Sequence, residues 1–151
     1  MSYEFARLEM LIGENGIQKL KGSSVAIFGI GGVGSYSAET LARSAVGKII
    51  LVDFDKISES NINRQIHSLK STVGLNKAEV MGERIKDINP ECEVIKEINL
   101  LKENNIKGFQ DILSKEDFDI NSGYIGGRNI LHILIENNAT EVFIKEAISR
   151  G

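Results

Sequence analysis

Cysteine, proline, tryptophan and histidine are nearly absent from this chain. It carries one cysteine, one proline, no tryptophan and two histidines in 151 residues. A single thiol, Cys92, cannot staple a fold, and such usage suits a reducing compartment. No histidines, cysteines or carboxylates stand at metal-ligand spacing, so the sequence carries no signature of a structural zinc. Long apolar runs are missing too: none approaches the roughly 20 residues needed to cross a bilayer. The start, MSYEFARLEM, lacks the basic stretch and apolar core of a signal peptide, and a cytoplasmic protein is the expectation. Nor is there an excess of positive charge. The formal net charge is −3, which excludes a generally basic nucleic-acid binder while leaving room for a local basic site. What is abundant is core material: 42% hydrophobic against 26% charged residues, in a length that suits one domain or one and a half.

The apolar residues are arranged in alternating periods. Residues 4 to 20 read as a short amphipathic helix with a break at Gly13–Gly16. SSVAIFGI is apolar and ends in glycine, as a buried parallel strand would. A helix is expected from Val33, closing at Gly47, and KIILVDFD reads as a second buried strand. Residues 56 to 71 are polar, suiting a loop or short helix. From 74 to 89, Val80, Ile85 and Ile88 recur at helical spacing and stop before Pro90, and CEVIKEI reads as a third strand. Strand–helix–strand–helix–strand in this order predicts an α/β fold, a Rossmann-like parallel sheet with flanking helices.

The turn Gly29-Ile30-Gly31-Gly32-Val33-Gly34 sits between the first strand and its helix. Glycine there permits positive φ and lets backbone N–H groups approach a phosphate, while the helix N-terminus adds partial positive charge. Asp53 ends the second strand about 20 residues on, where a carboxylate can accept from ribose hydroxyls. These features predict a nucleotide and leave NAD, FAD and ATP open.

SESNINRQIHS, residues 58 to 68, concentrates hydrogen-bonding side chains just past the second strand. A dehydrogenase has no need of an arginine there. An enzyme handling a triphosphate does, because Arg64 can grip phosphate oxygens in a bidentate fork. Asn61 can reach ribose or phosphate, and Lys77, at the start of the next helix, adds a point charge. Cations so placed stabilise a pyrophosphate leaving group. Cys92 reads as a buried structural thiol, and His67 as either a nucleotide contact or a packed loop histidine.

The stretch from GIGGVGSYSAETLARSAVGKIILVDFD through NRQIHSL, VGLNKAEVMGERI and INPECEV resembles the ubiquitin-activating-enzyme-like superfamily of ATP-dependent adenylating enzymes, over about residues 4 to 105. Within it these motifs look most like the tRNA threonylcarbamoyladenosine dehydratases. The resemblance implies that Gly29, Gly31, Gly32 and Gly34 line ATP and that Asp53 binds its ribose. It implies too that Asn61, Arg64 and Lys77 contact phosphates, and that magnesium screens them. Arg7, in FARLEMLIG, matches an arginine that in some relatives reaches into the partner subunit's site, so a homodimer is implied. The implied reaction adenylates the threonyl carboxylate of the modified adenosine at position 37 of tRNA, and cyclisation to an oxazolone then expels AMP. An activator of a ubiquitin-like sulfur carrier is the neighbouring alternative, disfavoured by NRQIHSL and KAEVMGERI.

Beyond residue 100 the composition changes. The family's strand ending in a magnesium-binding aspartate has no counterpart in EDFDINSGYIGG; Asp117 and Asp119 are there, but the apolar strand is not, so no metal residue is assigned. GGRNILHILIENNATEVFIKEAISRG reads as two short helices, and with FDIN before it residues 118–151 resemble a single ankyrin repeat. The expected organisation is an incomplete nucleotide-binding unit over 1–105 and a helical-hairpin tail over 106–151, open to a protein partner. With the far half of the sheet missing, a fused or truncated, non-catalytic nucleotide-binding module is the second functional expectation.

Overall fold

Three runs rich in β-branched residues form three parallel strands. A computed structural model of the chain describes residues 3–98. Strand β1 is Ser24–Phe28, β2 is Lys48–Val52 and β3 is Glu93–Glu97. They lie in the order β1-β2-β3, with Ser24 beside Lys48 and Lys48 beside Glu93. The central strand is buried along Ile49–Val52, as a parallel strand covered on both faces should be.

Helix α1 spans Ala6–Lys21, α2 Gly32–Arg43 and α3 Lys77–Ile88. Short 3-10 turns at Glu59–Asn61 and Lys70–Thr72 occupy the polar stretch between β2 and α3. The break expected in α1 is real: Gly13 has φ 72° and ψ 170°, which kinks the helix. Ala38 and Ala42 of α2 pack with Met81 and Ile85 of α3 over Ile49 and Leu51 of β2, forming one core. Small residues on α2 let the two helices sit close to the sheet. Glu39 locks them laterally, since its buried carboxylate accepts from Arg43 on its own helix and from Arg84 on α3. The guanidinium of Arg84, ahead of burial, sets the direction and holds the Glu39 carboxyl below its usual value.

Helix α2 stops earlier than its sequence suggests. The expected stop is Gly47, yet the last helical residue is Arg43. Ala45 takes the left-handed conformation at φ 63°, Val46 N–H donates to Leu41 O at 3.2 Å, and Ala45 N–H to Ala42 O at 3.4 Å. This is a Schellman closure with alanine where glycine is usual. Gly47 serves a close approach instead. A Cβ there would lie 1.8 Å from Lys21 O, so its bareness lets the end of α1 press against the start of β2.

The three-strand, three-helix order is the Rossmann-like arrangement expected. The proposed boundary at 105, the helical hairpin and the ankyrin-like stretch lie outside the described residues. No helix among the described residues is long and apolar enough to cross a membrane.

Candidate functional site

In a parallel sheet the loops at the carboxyl ends of the strands converge on one edge, and ligands gather there. β1 runs out into Gly29, whose N–H donates to Val52 O at 2.9 Å, extending the β1–β2 ladder into the turn. Gly29 has φ 87°, a conformation glycine adopts freely. The chain then enters α2 at Gly32. The turn residues so face the carboxyl edge with α2's free N–H groups behind them.

The polar loop lies over this turn. The Cγ of Arg64 would be 3.7 Å from a Cβ on Gly32, and Gln65 Nε2 3.9 Å from one on Gly31. Ile66 N–H donates to Ser35 Oγ at 3.3 Å. His67 Nε2 donates to Ile30 O at 2.8 Å; the carbonyl can only accept, which assigns the proton to Nε2. Nδ1 then accepts from Ser68 Oγ at 3.1 Å. SESNINRQIHS is therefore a cover whose side chains brace the glycine turn and lay the stem of Arg64 beside it. His67 is 2% exposed, which makes it the packed histidine rather than the nucleotide contact.

Asp53 is tied to the same turn. Its Oδ2 accepts from Ile30 N–H at 2.6 Å and its Oδ1 from Asp55 N–H at 2.8 Å. Ile30's peptide groups are thus clamped on both sides, by a carboxylate at N–H and an imidazole at C=O. Burial raises the Asp53 carboxyl above its ordinary value, against the lowering pull of those two amides. Burial likewise lowers the His67 imidazole, with the Ile30 carbonyl pulling the other way; Lys77 and Arg84 add to the lowering and Asp53 opposes it.

This predicts a pH response. His67 has an ordinary value of 6.5 and a lower one when folded. Its contribution is complete above pH 6.5 and is lost as pH falls through the folded value, because the unfolded chain takes the proton first. Asp53 has the opposite sign, its contribution being present below 3.8 and lost as pH rises through its raised value. The melting temperature of the chain, followed from pH 7.5 to 5, should fall more steeply than that of His67→Gln. The expected difference is about 1.4 kcal/mol per pKa unit of displacement. Equal slopes would mean that the buried imidazole does not resist protonation.

The remaining expected residues are distributed unevenly. Arg64 is exposed; Nη1 donates to Ser60 O at 2.7 Å and Asn63 Oδ1 at 2.9 Å. Asn61 is buried, and its Oδ1 accepts from Ser58 N–H at 3.0 Å, capping the 3-10 turn. Gly31 and Gly32 border the cover loop, whereas Gly34 faces inward, where a Cβ would lie 1.9 Å from Gly29 O. Lys77 Nζ donates to Asp55 Oδ2 at 2.7 Å, so a residue not singled out from sequence, Asp55, is the lysine's partner. Arg7 lies in the first turn of α1, exposed, on a helix whose Leu8 and Ile17 pack, with Phe5 just before it, against Ala45 just past the end of α2. One chain does not bring it to the glycine turn. Cys92 is fully buried with its thiol pushed up by burial, which fits the structural role expected. Among the described residues no cluster of three or more acidic, histidine or cysteine side chains could hold a metal; Asp117 and Asp119 lie outside them.

The arrangement offers bare backbone amides, two cationic side chains and buried acceptors at one edge, which suits a nucleotide polyphosphate. Known proteins agree with that chemistry. The sequence pattern of the ThiF family matches residues 5–121, running past residue 105 and into the stretch read as ankyrin-like. The tRNA threonylcarbamoyladenosine dehydratase of Bacillus subtilis (strain 168) is 57% identical over 95 residues, 63% of this chain and 37% of that protein. The Escherichia coli (strain K12) dehydratase is 44% identical over 108 residues, 72% of this chain and 40% of that one. The crystal structure of the E. coli dehydratase in complex with ATP superposes with a TM-score of 0.68 at 43% identity, over 72% of this chain and 45% of that one. The chain thus spans well under half the length of these curated relatives.

Proposed function

This chain belongs to the ThiF family, and on that premise we propose that it is the nucleotide-binding part of a tRNA threonylcarbamoyladenosine dehydratase. ATP would lie along the carboxyl edge with its phosphates over Gly31 and Gly32, between Arg64 and Lys77. The observation that carries the reading is the cover loop packed on the glycine turn, which lays the stem of Arg64 against the bare backbone of Gly32. The E. coli relative of known structure was crystallised with ATP at 43% identity, which supports the choice of ATP over NAD or FAD.

The chemistry follows from the groups present. A carboxylate oxygen is a poor leaving group. When the threonyl carboxylate attacks the α-phosphorus of ATP, a P–O bond to it forms, the α–β bridge breaks and pyrophosphate departs. Arg64 and Lys77 would take up the charge that develops on that leaving group. Attack by the urea oxygen on the acyl carbon then closes the oxazolone and releases AMP, a net loss of water from the modified adenosine. Magnesium bound to the phosphates of ATP would neutralise part of their charge. Asp53, with both oxygens on backbone amides, would keep the turn open to the nucleotide and offer its remaining lone pairs to the ribose. Asn61 would support Arg64 from beneath.

The substrate is tRNA, the setting the cytoplasm, and the assembly a homodimer. α1 supports the dimer: Met10 and Leu11 are more than 80% exposed, and Arg7 shares their helix. Sedimentation equilibrium reads this as a doubled mass. The function itself is tested by titrating Mg·ATP against the full chain in a thermal melt and measuring pyrophosphate released with threonylcarbamoyladenosine-bearing tRNA. A saturating rise of several degrees with release supports it. A rise without release would mean binding without adenylation, and a cooperative melt indifferent to ATP would end the reading.

A further inference from the structure

The acid–base pair Asp55–Lys77 links the glycine turn to the start of α3, and its construction goes beyond a surface ion pair. The segment after β2 and the segment before α3 pair as a short antiparallel clip: Lys56 bridges Asn76, Ile57 N–H donates to Leu75 O at 2.8 Å and Gly74 N–H to Ile57 O at 2.8 Å. The clip sets Lys77 beside Asp55, and the two are bonded twice. Lys77 N–H donates to Asp55 O at 3.0 Å and Lys77 Nζ to Asp55 Oδ2 at 2.7 Å. Asp55 is in turn anchored through its own N–H to Asp53, which holds Ile30 of the glycine turn. Turn, carboxylates and lysine form one hydrogen-bonded chain.

Lys77 needs such a partner. Its side chain is only 8% exposed, whereas that of Asp55 is 50% exposed. Lys77 is also the first residue of α3, where the helix dipole disfavours a cation. A buried ammonium at that end of a helix is retained when a carboxylate neutralises it. The lysine stem would otherwise sample many rotamers, and ordering it costs conformational entropy.

We propose that Asp55 is a positioning residue for Lys77: it holds the ammonium aimed along the carboxyl edge of the sheet, so that the lysine meets the nucleotide's phosphates already ordered. An ammonium has three donors. One is committed to Asp55, and two remain for phosphate oxygens. This rests on the reading of Lys77 as a phosphate ligand, and the test separates the two.

The test is a double-mutant cycle on the full chain, read by calorimetric ATP affinity and by pyrophosphate exchange. Asp55→Asn keeps the shape and removes the charge, and it should raise the Kd for ATP about tenfold, equivalent to about 1.4 kcal/mol. Asp55→Glu keeps the charge and should recover affinity to within about threefold of wild type. In a Lys77→Ala background, Asp55→Asn should change the Kd by less than about twofold, since there is no ammonium left to place. An equal loss from Asp55→Asn with and without Lys77 would overturn the proposal in favour of a general structural role. Unchanged affinity on Asp55→Asn in the presence of Lys77 would overturn it too. If Lys77→Ala itself binds ATP as wild type does, the phosphate role of the lysine fails and the positioning role with it, a result distinct from either of those.

Discussion

Gly34→Ala is expected to lower the melting temperature by more than about 10 °C and to abolish any response to ATP. A Cβ on Gly34 would lie 1.9 Å from Gly29 O, 3.0 Å from Gly29 C and 3.4 Å from Ile27 Cγ2. The first two obstacles are backbone, so no side-chain rotation relieves them. α2 would have to lift off β1, or Gly29 would have to move, and Gly29 is held by its bond to Val52 O. Overpacking against movable side chains costs about 1–3 kcal/mol, and the rigid case belongs at or above the upper end. That is a large part of the roughly 5–15 kcal/mol that holds a domain folded. Gly74 is the control. It has φ 89°, yet a Cβ there meets nothing within 4 Å, so Gly74→Ala bears only the left-handed strain of about 1–2 kcal/mol. Denaturant unfolding of both variants decides the matter. Similar small losses at the two positions would mean that α2 and β1 are not pressed together at the turn.

That contrast also marks what a sequence discloses. The order of strands and helices is legible because it rests on local periodicity: KIILV can only be a buried strand, and α3 ends at Ile88 ahead of Pro90. The glycine turn is legible as a motif. Its division of labour is not, because GIGGVG does not say which glycine faces a ligand and which faces Gly29. Gly34 reads from sequence as one of the nucleotide-lining residues, and its bare Cα in fact admits the strand. The end of α2 is hidden for a similar reason, since Gly47 serves a close approach to Lys21 and the left-handed residue is Ala45. Asp53 reads from sequence as a ribose ligand because it follows the second apolar run. That both its oxygens hold backbone amides depends on a fold bringing residues 30 and 55 to it. Asp55 carries no signal in the sequence because its partner stands 22 positions away, joined to it by a non-local clip. Arg64 stands out because an arginine in a loop after a strand has little structural reason to be there.

Arg64→Ala is the substitution expected to separate function from folding most sharply. Its guanidinium is exposed, and Nη1 alone is committed, to Ser60 O and Asn63 Oδ1. Among the described residues Nε and Nη2 have no acceptor, so one edge of the exposed fork stays free. Removing an exposed side chain of this kind should change stability by no more than about 0.5 kcal/mol. Removing a donor aimed at developing phosphate charge costs about 10²–10³ in rate. Pyrophosphate exchange should thus fall at least a hundredfold while the melting curve without ATP barely moves. Arg64→Lys keeps the charge and loses the planar fork, and it should lie between the two, about tenfold down. The ordering of the three proteins carries the inference. If lysine and alanine fall equally, geometry matters and charge does not. If both retain most of the rate, the loop braces the turn through His67 and Asp53, and the phosphates are held elsewhere.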